Sequence, residues 1–149
     1  MRLRELLSAR RKLLIGVVHL APLPGAPLYA GSMQAVLERA SVDAAALAEG
    51  GADAIVVENF GDRPFHKDAV PAETIAAMAR ALDAVRAAAG GVFLGVNVLR
   101  NDARAALGLC AACGADFLRV NVHVGAAVTD QGVIEGRAAE TLRERARLA

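Results

Sequence analysis

Four short aliphatic runs in this sequence each carry a polar group at or near the carboxyl end. That repeated pattern limits the folds open to the chain. The runs are Ile15–His19, Ala54–Asn59, Phe93–Asn97 and Phe117–Gly125. In the last of them every second residue from Leu118 to Val124 is aliphatic, with Arg119, Asn121 and His123 between. Side chains alternate faces along a strand, so one face is apolar and the other carries the polar groups. A lone half-exposed strand does the same with its polar face in water. Four such runs in one chain predict parallel strands whose carboxyl ends meet at one site.

The stretches between the runs read as helices. Leu13 to Leu20 is the first predicted strand, and it leads into residues 21–27, where three prolines make a stiff, shaped loop. Gly31-Ser32 opens a helix to Glu49, with Ser32 as N-cap and Gly50-Gly51 as the stop. Ala54 to Glu58 is the second strand, followed by a loop from Asn59 to His66. Pro71 suits the first turn of a helix that runs to Ala89. Val92 to Leu99 is the third strand. Arg100-Asn101-Asp102 forms a turn, and Asn101 or Asp102 caps a helix ending at Gly114. Phe117 to Val124 is the fourth strand, Gly125 to Gly136 a loop, and Arg137 to Ala149 a last helix.

Strand then helix, four times over, is the βα grammar of a parallel sheet. The 149 residues are enough for one domain with a real core. The net charge of +1 gives no electrostatic footprint for nucleic acid. No apolar run reaches the roughly 18 residues of a membrane-spanning helix. The sequence shows no signal peptide, and two cysteines without one fit a reducing, cytoplasmic setting. Met1 to Lys12 reads as a short basic amphipathic helix. It either packs under the fold or lies on a membrane surface as a peripheral contact.

An internal echo favours a barrel over a doubly wound sheet. Gly51-Ala52-Asp53 precedes the second strand, and Gly114-Ala115-Asp116 precedes the fourth. Glu58 and Asn121 each fall seven positions after the glycine. Alternate strands supply each inner layer of a (β/α)8 barrel, so echoes two units apart are expected there. No Gly-x-Gly-x-x-Gly turn follows the first strand, as a dinucleotide-binding sheet would require. Four βα units make half of such a barrel.

Five motifs carry a family resemblance. They are Gly16-Val-Val-His-Leu-Ala-Pro-Leu-Pro-Gly25, Glu58-Asn-Phe-Gly-Asp62, Gly95-Val-Asn-Val-Leu-Arg-Asn-Asp102, Arg119-Val-Asn-Val-His123, and Asp130-Gln-Gly132 with Glu135-Gly136. In this order they resemble the BtpA family, which is named for a photosystem I biogenesis factor and includes SgcQ-like proteins. The resemblance implies a TIM-type (β/α)8 barrel similar to the ribulose-phosphate-binding group. It also implies a length nearly twice this one, so the chain is expected to form the N-terminal half of the barrel as a single domain over residues 1–149.

In a barrel the polar strand ends converge on the carboxyl face. Glu58, Asn97, Asn121, His19 and His123 are therefore the candidate catalytic residues. Asn59, Asp62, Arg100, Asn101, Asp102, Arg119, Asp130 and Gln131 are the candidate substrate contacts. Glu58 can act as a general base, or join His19 and His123 on a divalent metal. Equally, it can simply pair with Arg119. No short ligand spacing such as His-x-x-x-His occurs, so no metal is expected; which cofactor the site would take is left open by the sequence. Cys110-Ala-Ala-Cys113 lies on an Ala-rich helix with no second cysteine pair, which reads as two free, largely buried thiols. Two functional classes fit: a binder or enzyme for a phosphorylated or polyhydroxylated small molecule, and a non-catalytic assembly or stability factor of the photosystem I type.

A half barrel has two open edges, the first and fourth strands. Its inner face is expected to expose Val17, Val56 and Leu99. The chain is therefore expected to need a second half barrel, from a longer chain or from a second copy.

Overall fold

The computed structural model describes residues 12–148, together with Glu5 and Ser8. The expected N-terminal amphipathic helix lies otherwise outside the described residues. Strands β1 (Ile15–His19), β2 (Ala54–Glu58), β3 (Phe93–Asn97) and β4 (Phe117–Leu118) form one parallel sheet in the order β1-β2-β3-β4. Helices α1 (Met33–Glu49), α2 (Ala72–Ala89) and α3 (Ala103–Cys113) connect them. A two-stranded antiparallel hairpin, β5 (Ala126–Thr129) and β6 (Gly132–Glu135), and helix α4 (Ala138–Leu148) complete the chain.

The helices follow their local signals. Ser32 caps α1 by accepting from the Ala35 amide, and Asp102 caps α3 by accepting from the Ala105 amide. Gly114 ends α3 in the left-handed region at φ 68°, where a β-carbon would be strained. Helix α2 buries Thr74, Ala77, Met78, Ala81, Leu82, Val85 and Ala89, the spacing of one helical face. That face meets Val18, Ile55, Val57, Leu94 and Val96 from one side of the sheet, and together they form the core.

The alternate strand residues point to the opposite, inner face. Here Val17, Val56, Gly95 and Phe117 stand in register across the four strands. Gly95 is required because the Phe117 ring fills the place of its β-carbon: an added carbon would lie 2.4 Å from the ring. Val17 is exposed as expected, but Val56 and Leu99 are each only 4% exposed. The expectation of an open inner surface at those two residues is corrected. Leu99 lies beyond the end of β3, where Asn59 holds its backbone.

Two further differences concern the last third of the chain. The fourth strand spans only Phe117–Leu118; the Arg119 amide still donates to the Val96 carbonyl of β3 at 2.9 Å, and residues 120–125 are irregular. The segment expected as a loop from Gly125 to Gly136 contains the β5–β6 hairpin, turning at Asp130-Gln131.

The Gly-Ala-Asp echo proves to be a strand-entry device. The Asp53 carboxylate accepts from the Leu14 amide at 2.9 Å, while the Asp53 amide donates to the Leu14 carbonyl at 2.8 Å. Asp116 makes the same reciprocal pair with Leu94, at 2.8 and 2.7 Å. Ala54, following the first aspartate, pairs with the first residues of β1 and β3, whereas Phe117, following the second, pairs with the third residue of β3. The fourth strand thus enters two residues further along. A stagger of this kind is what tilts strands in a barrel, although the described strands form an open sheet.

Candidate ligand-binding site at the strand ends

The site begins with register. His19 pairs with Glu58 across β1 and β2, and Glu58 pairs with Asn97 across β2 and β3. These residues end their strands, so their side chains stand in one row on the inner face. The β3–β4 stagger then continues that row to Arg119 rather than to Asn121. Arg119 Nη1 reaches Glu58 Oε1 at 2.7 Å, and Asn97 Nδ2 donates to the same oxygen at 3.0 Å. Glu58 Oε2 faces His19 Nε2 at 3.5 Å. Asn121, on the irregular segment, still reaches the row: its Oδ1 accepts from Asn97 Nδ2 at 3.3 Å.

Glu58 is 3% exposed, yet Arg119 and His19 side chains are about half exposed. An unpaired charge so deeply buried would cost several kcal/mol, and the arginine and amide offset this. The row therefore runs from a buried anion to groups that meet solvent. Its hydrogen-bonding repertoire comprises guanidinium donors, two primary amides and an imidazole.

Several other candidate residues spend their polar atoms on backbone. Asn59 Oδ1 accepts from the Leu99 amide at 2.7 Å, and its Nδ2 donates to the Leu99 carbonyl. Asn101 clasps Val122 in the same two-way manner, at 2.9 and 3.0 Å. Asn121 Nδ2 donates back to the Arg100 carbonyl at 2.9 Å. Asp62 accepts from the Leu23 amide and from Asn59, and Asp102 accepts from Val70 and Ala105. Each loop at this end is thereby tied to a neighbour, which fixes the frame around the polar row. Burial pushes the Asp62 carboxyl above its ordinary pKa, against the lowering effect of its Leu23 bond.

Arg100 fastens the hairpin. It pairs with Asp130 at 3.0 Å and donates to Gln131 at 3.1 Å. The hydrogen bond from Arg100 holds the Asp130 carboxyl below its usual range. Arg100, Arg119, Asn121 and Thr129 line a cleft of about 330 Å³ beside the row, with Val120, Val122 and Ile134. A second cleft, of about 370 Å³, lies away from the row, where Arg104 and Glu144 meet between α3 and α4. His123 is not part of the row, and its Nδ1 is buried with no hydrogen-bond partner.

Sequence reasoning missed an aromatic group at the same end. The His19 ring stacks on Phe60, with centroids 4.3 Å apart and planes 20° apart. Phe60 contacts Phe65, and the Arg63 guanidinium lies 4.1 Å over Phe60. The signal was present: of only four phenylalanines in the chain, two sit in the loop after β2.

Cys110 and Cys113 are free and partly buried, donating toward the Phe117 and Ala79 carbonyls. Burial pushes the Cys110 thiol up to about 11. Among the described residues, no group of three or more His, Cys, Asp or Glu could hold a metal ion, and no helix is long and apolar enough to cross a membrane.

Parallel βα units with a polar row at the strand ends define the class: an α/β protein with the layout of a partial TIM-like fold. Within that class, the model of the BtpA family matches residues 10–149, and the chain belongs to the BtpA family. It is 49% identical to the photosystem I biogenesis protein BtpA of Synechocystis, over 91% of this chain and 47% of that protein. An uncharacterised protein of Thermococcus kodakarensis is 53% identical, over 93% of this chain and 52% of its own length. A mitochondrial protein of Caenorhabditis elegans is 32% identical, over 97% and 53%. The chain thus spans about half the length of these curated relatives. No solved structure matches it.

Proposed function

We propose that the chain forms half of a (β/α)8 barrel that binds a phosphorylated or polyhydroxylated small molecule at the carboxyl ends of its strands. The observation that carries this reading is Glu58, a buried carboxylate on the inner face that gathers Asn97, Arg119 and His19 around it. Strand-end convergence is where barrels of this type bind their ligands. The Asn97 amide suits a hydroxyl group, with Asn121 holding it in place through their mutual hydrogen bond, and the guanidinium groups of Arg100 and Arg119 suit oxyanions. Asn59, Asp62, Asn101 and Asp102 frame the site rather than touch the ligand, because their polar atoms already serve the backbone. The second half barrel, from further chain or a second copy, closes the inner face.

A second reading, a non-catalytic assembly or stability factor, draws on the printed name of the Synechocystis relative and on the exposed apolar side chains of β1. Thermal shift against a panel of sugar phosphates and polyols separates the two. Stabilisation by a phosphorylated sugar, lost in Asn97→Ala and Asn121→Ala, is the expected result. No shift with any compound would remove the ligand reading and leave the assembly role.

A further inference from the structure

We propose that His19 is the proton-transferring group of this site and that Glu58 is its positioning residue. The inference rests on the ligand site proposed above and assigns roles within it. Glu58 is the less suitable base because its oxygens are already engaged. Oε1 takes both Asn97 and Arg119, Oε2 faces His19, and its side chain is 4% exposed. A ligand arriving from the open face can reach the imidazole, since the His19 side chain is 49% exposed, whereas the Glu58 carboxylate lies beneath it.

Three features fix that imidazole. Strand register sets its backbone opposite Glu58. The Phe60 stack sets the ring plane. The Glu58 carboxylate then selects which ring nitrogen carries the proton. Phe60 is itself held, through the Asn59 and Asp62 clasps on either side of it in the chain and by Arg63 over its ring. A base oriented by a buried carboxylate is the arrangement that activates proton transfer in unrelated enzymes. The 3.5 Å separation is longer than a well-formed hydrogen bond. Such contacts tighten when the ligand complex forms or the ring gains charge.

The step balances within these groups. Neutral His19 presents Nε2–H to Glu58 and a lone pair at Nδ1 to the ligand. Nδ1 takes the proton of a ligand hydroxyl: the O–H bond breaks, an N–H bond forms, and the electron pair stays on the ligand oxygen. Glu58 offsets the new imidazolium charge, and return of the proton resets the site. Among the described residues, the charged groups that these contacts link to His19 are Glu58 directly, Arg119 through Glu58 and Arg63 through the Phe60 ring.

The test reads the imidazole without a ligand. Two-bond 1H–15N spectra of the labelled protein, recorded where His19 is neutral, should show its ring protonated at Nε2. A His19 protonated at Nδ1, or an even mixture, overturns the assignment. Glu58→Gln should convert His19 to mixed tautomers while His66 and His123 stay unchanged. If that variant fails to fold, the wild-type spectrum still decides. Acylation by diethyl pyrocarbonate, followed by mass spectrometry, adds a reactivity readout. His19 should acylate several-fold more slowly in Glu58→Gln, and equal rates would mean that Glu58 does not act through it. An Nε2–H tautomer in a protein that binds no sugar phosphate keeps the dyad and removes the ligand class. An Nδ1–H tautomer in one that binds it removes the dyad and keeps the ligand class.

Discussion

Gly61 lies against the backbone of Pro22, so close that a β-carbon on it would stand 2.5 Å from the proline nitrogen. The same carbon would meet the Ala21 carbonyl carbon and the Leu20 oxygen, each at 2.7 Å. These are main-chain atoms of the proline-stiffened loop, and they cannot rotate aside. Gly61→Ala must push this loop off the loop after β2, and Asp62 and Phe60 move with it. We expect a loss of about 1–3 kcal/mol, the usual cost of overpacking. Urea unfolding of the variant measures it, and a change below the error of the method would mean that the loops part without resistance.

Gly108 is the opposite case. It stands in the middle of α3, its φ is not positive, and an added carbon would meet nothing within 4 Å. Alanine removes the entropy cost of glycine in a helix, which is about 0.5–1 kcal/mol. Gly108→Ala is therefore expected to raise the unfolding midpoint, and a lowered midpoint would show hidden crowding at that position.

Asn59 is 1% exposed and satisfies both the amide and the carbonyl of Leu99. Truncation leaves two backbone groups unpaired in a dry place, at about 1–3 kcal/mol each. Asn59→Ala is expected to lose about 2–6 kcal/mol in denaturant unfolding. Asn121→Ala, on a more open segment, should lose less. Equal losses would contradict the burial difference.

The βα order, the caps at Ser32 and Asp102 and the stop at Gly114 were legible because they depend on neighbouring residues alone. The fourth strand was not. Alternation from Leu118 to Val124 tells which residues share a face, but not whether a partner strand runs alongside. The chain after Arg119 uses the Asn101 clasp on Val122 instead. The hairpin was readable in principle, since Asp130-Gln131 with Gly132 is a turn signal between apolar pairs. The row of polar strand ends was readable as a row, yet its fourth member was not. The Gly-Ala-Asp echo pointed to Asn121 as the counterpart of Glu58, and a two-residue stagger put Arg119 in that place. The division between ligand-facing and backbone-clasping asparagines depends on contacts such as Asn59 to Leu99, 40 residues apart, which no local pattern encodes.

Two carboxylates should respond to pH with opposite signs. Burial raises the Asp62 pKa in the fold, so the folded state holds its proton longer than the unfolded state. Stability attributable to Asp62 then falls as pH rises through the window above the ordinary carboxylate value. Asp130 is depressed by Arg100, so its contribution is present above the unfolded value and is lost as pH falls through the folded one. The Arg100–Asp130 contact is solvent-facing, and the readout is local: the protection factors of the hairpin amides, taken against the intrinsic exchange rate at each pH, should fall in acid and in Asp130→Asn. Hairpin exchange that ignores both changes would show that Ile134, not Arg100, fastens it.

Among the described residues the edge strand β1 has β2 on one side only; Leu14 just before it is 57% exposed, and Ile15 and Val17 within it are 47% and 37% exposed. Unpaired N–H and C=O groups beside exposed aliphatic side chains are a template for strand pairing. Two-fold pairing is the commonest closed symmetry for soluble proteins, and a second copy brings an equivalent edge. We therefore expect light scattering after size exclusion to give a mass that rises with concentration. Ile15→Lys and Val17→Lys place charges on that edge and should lower the mass, without touching the helix-facing core formed around Val18 and Val57. A monodisperse monomer at low micromolar concentration, with a cooperative denaturant transition, would show that the four-stranded unit closes its own edges and needs no second half.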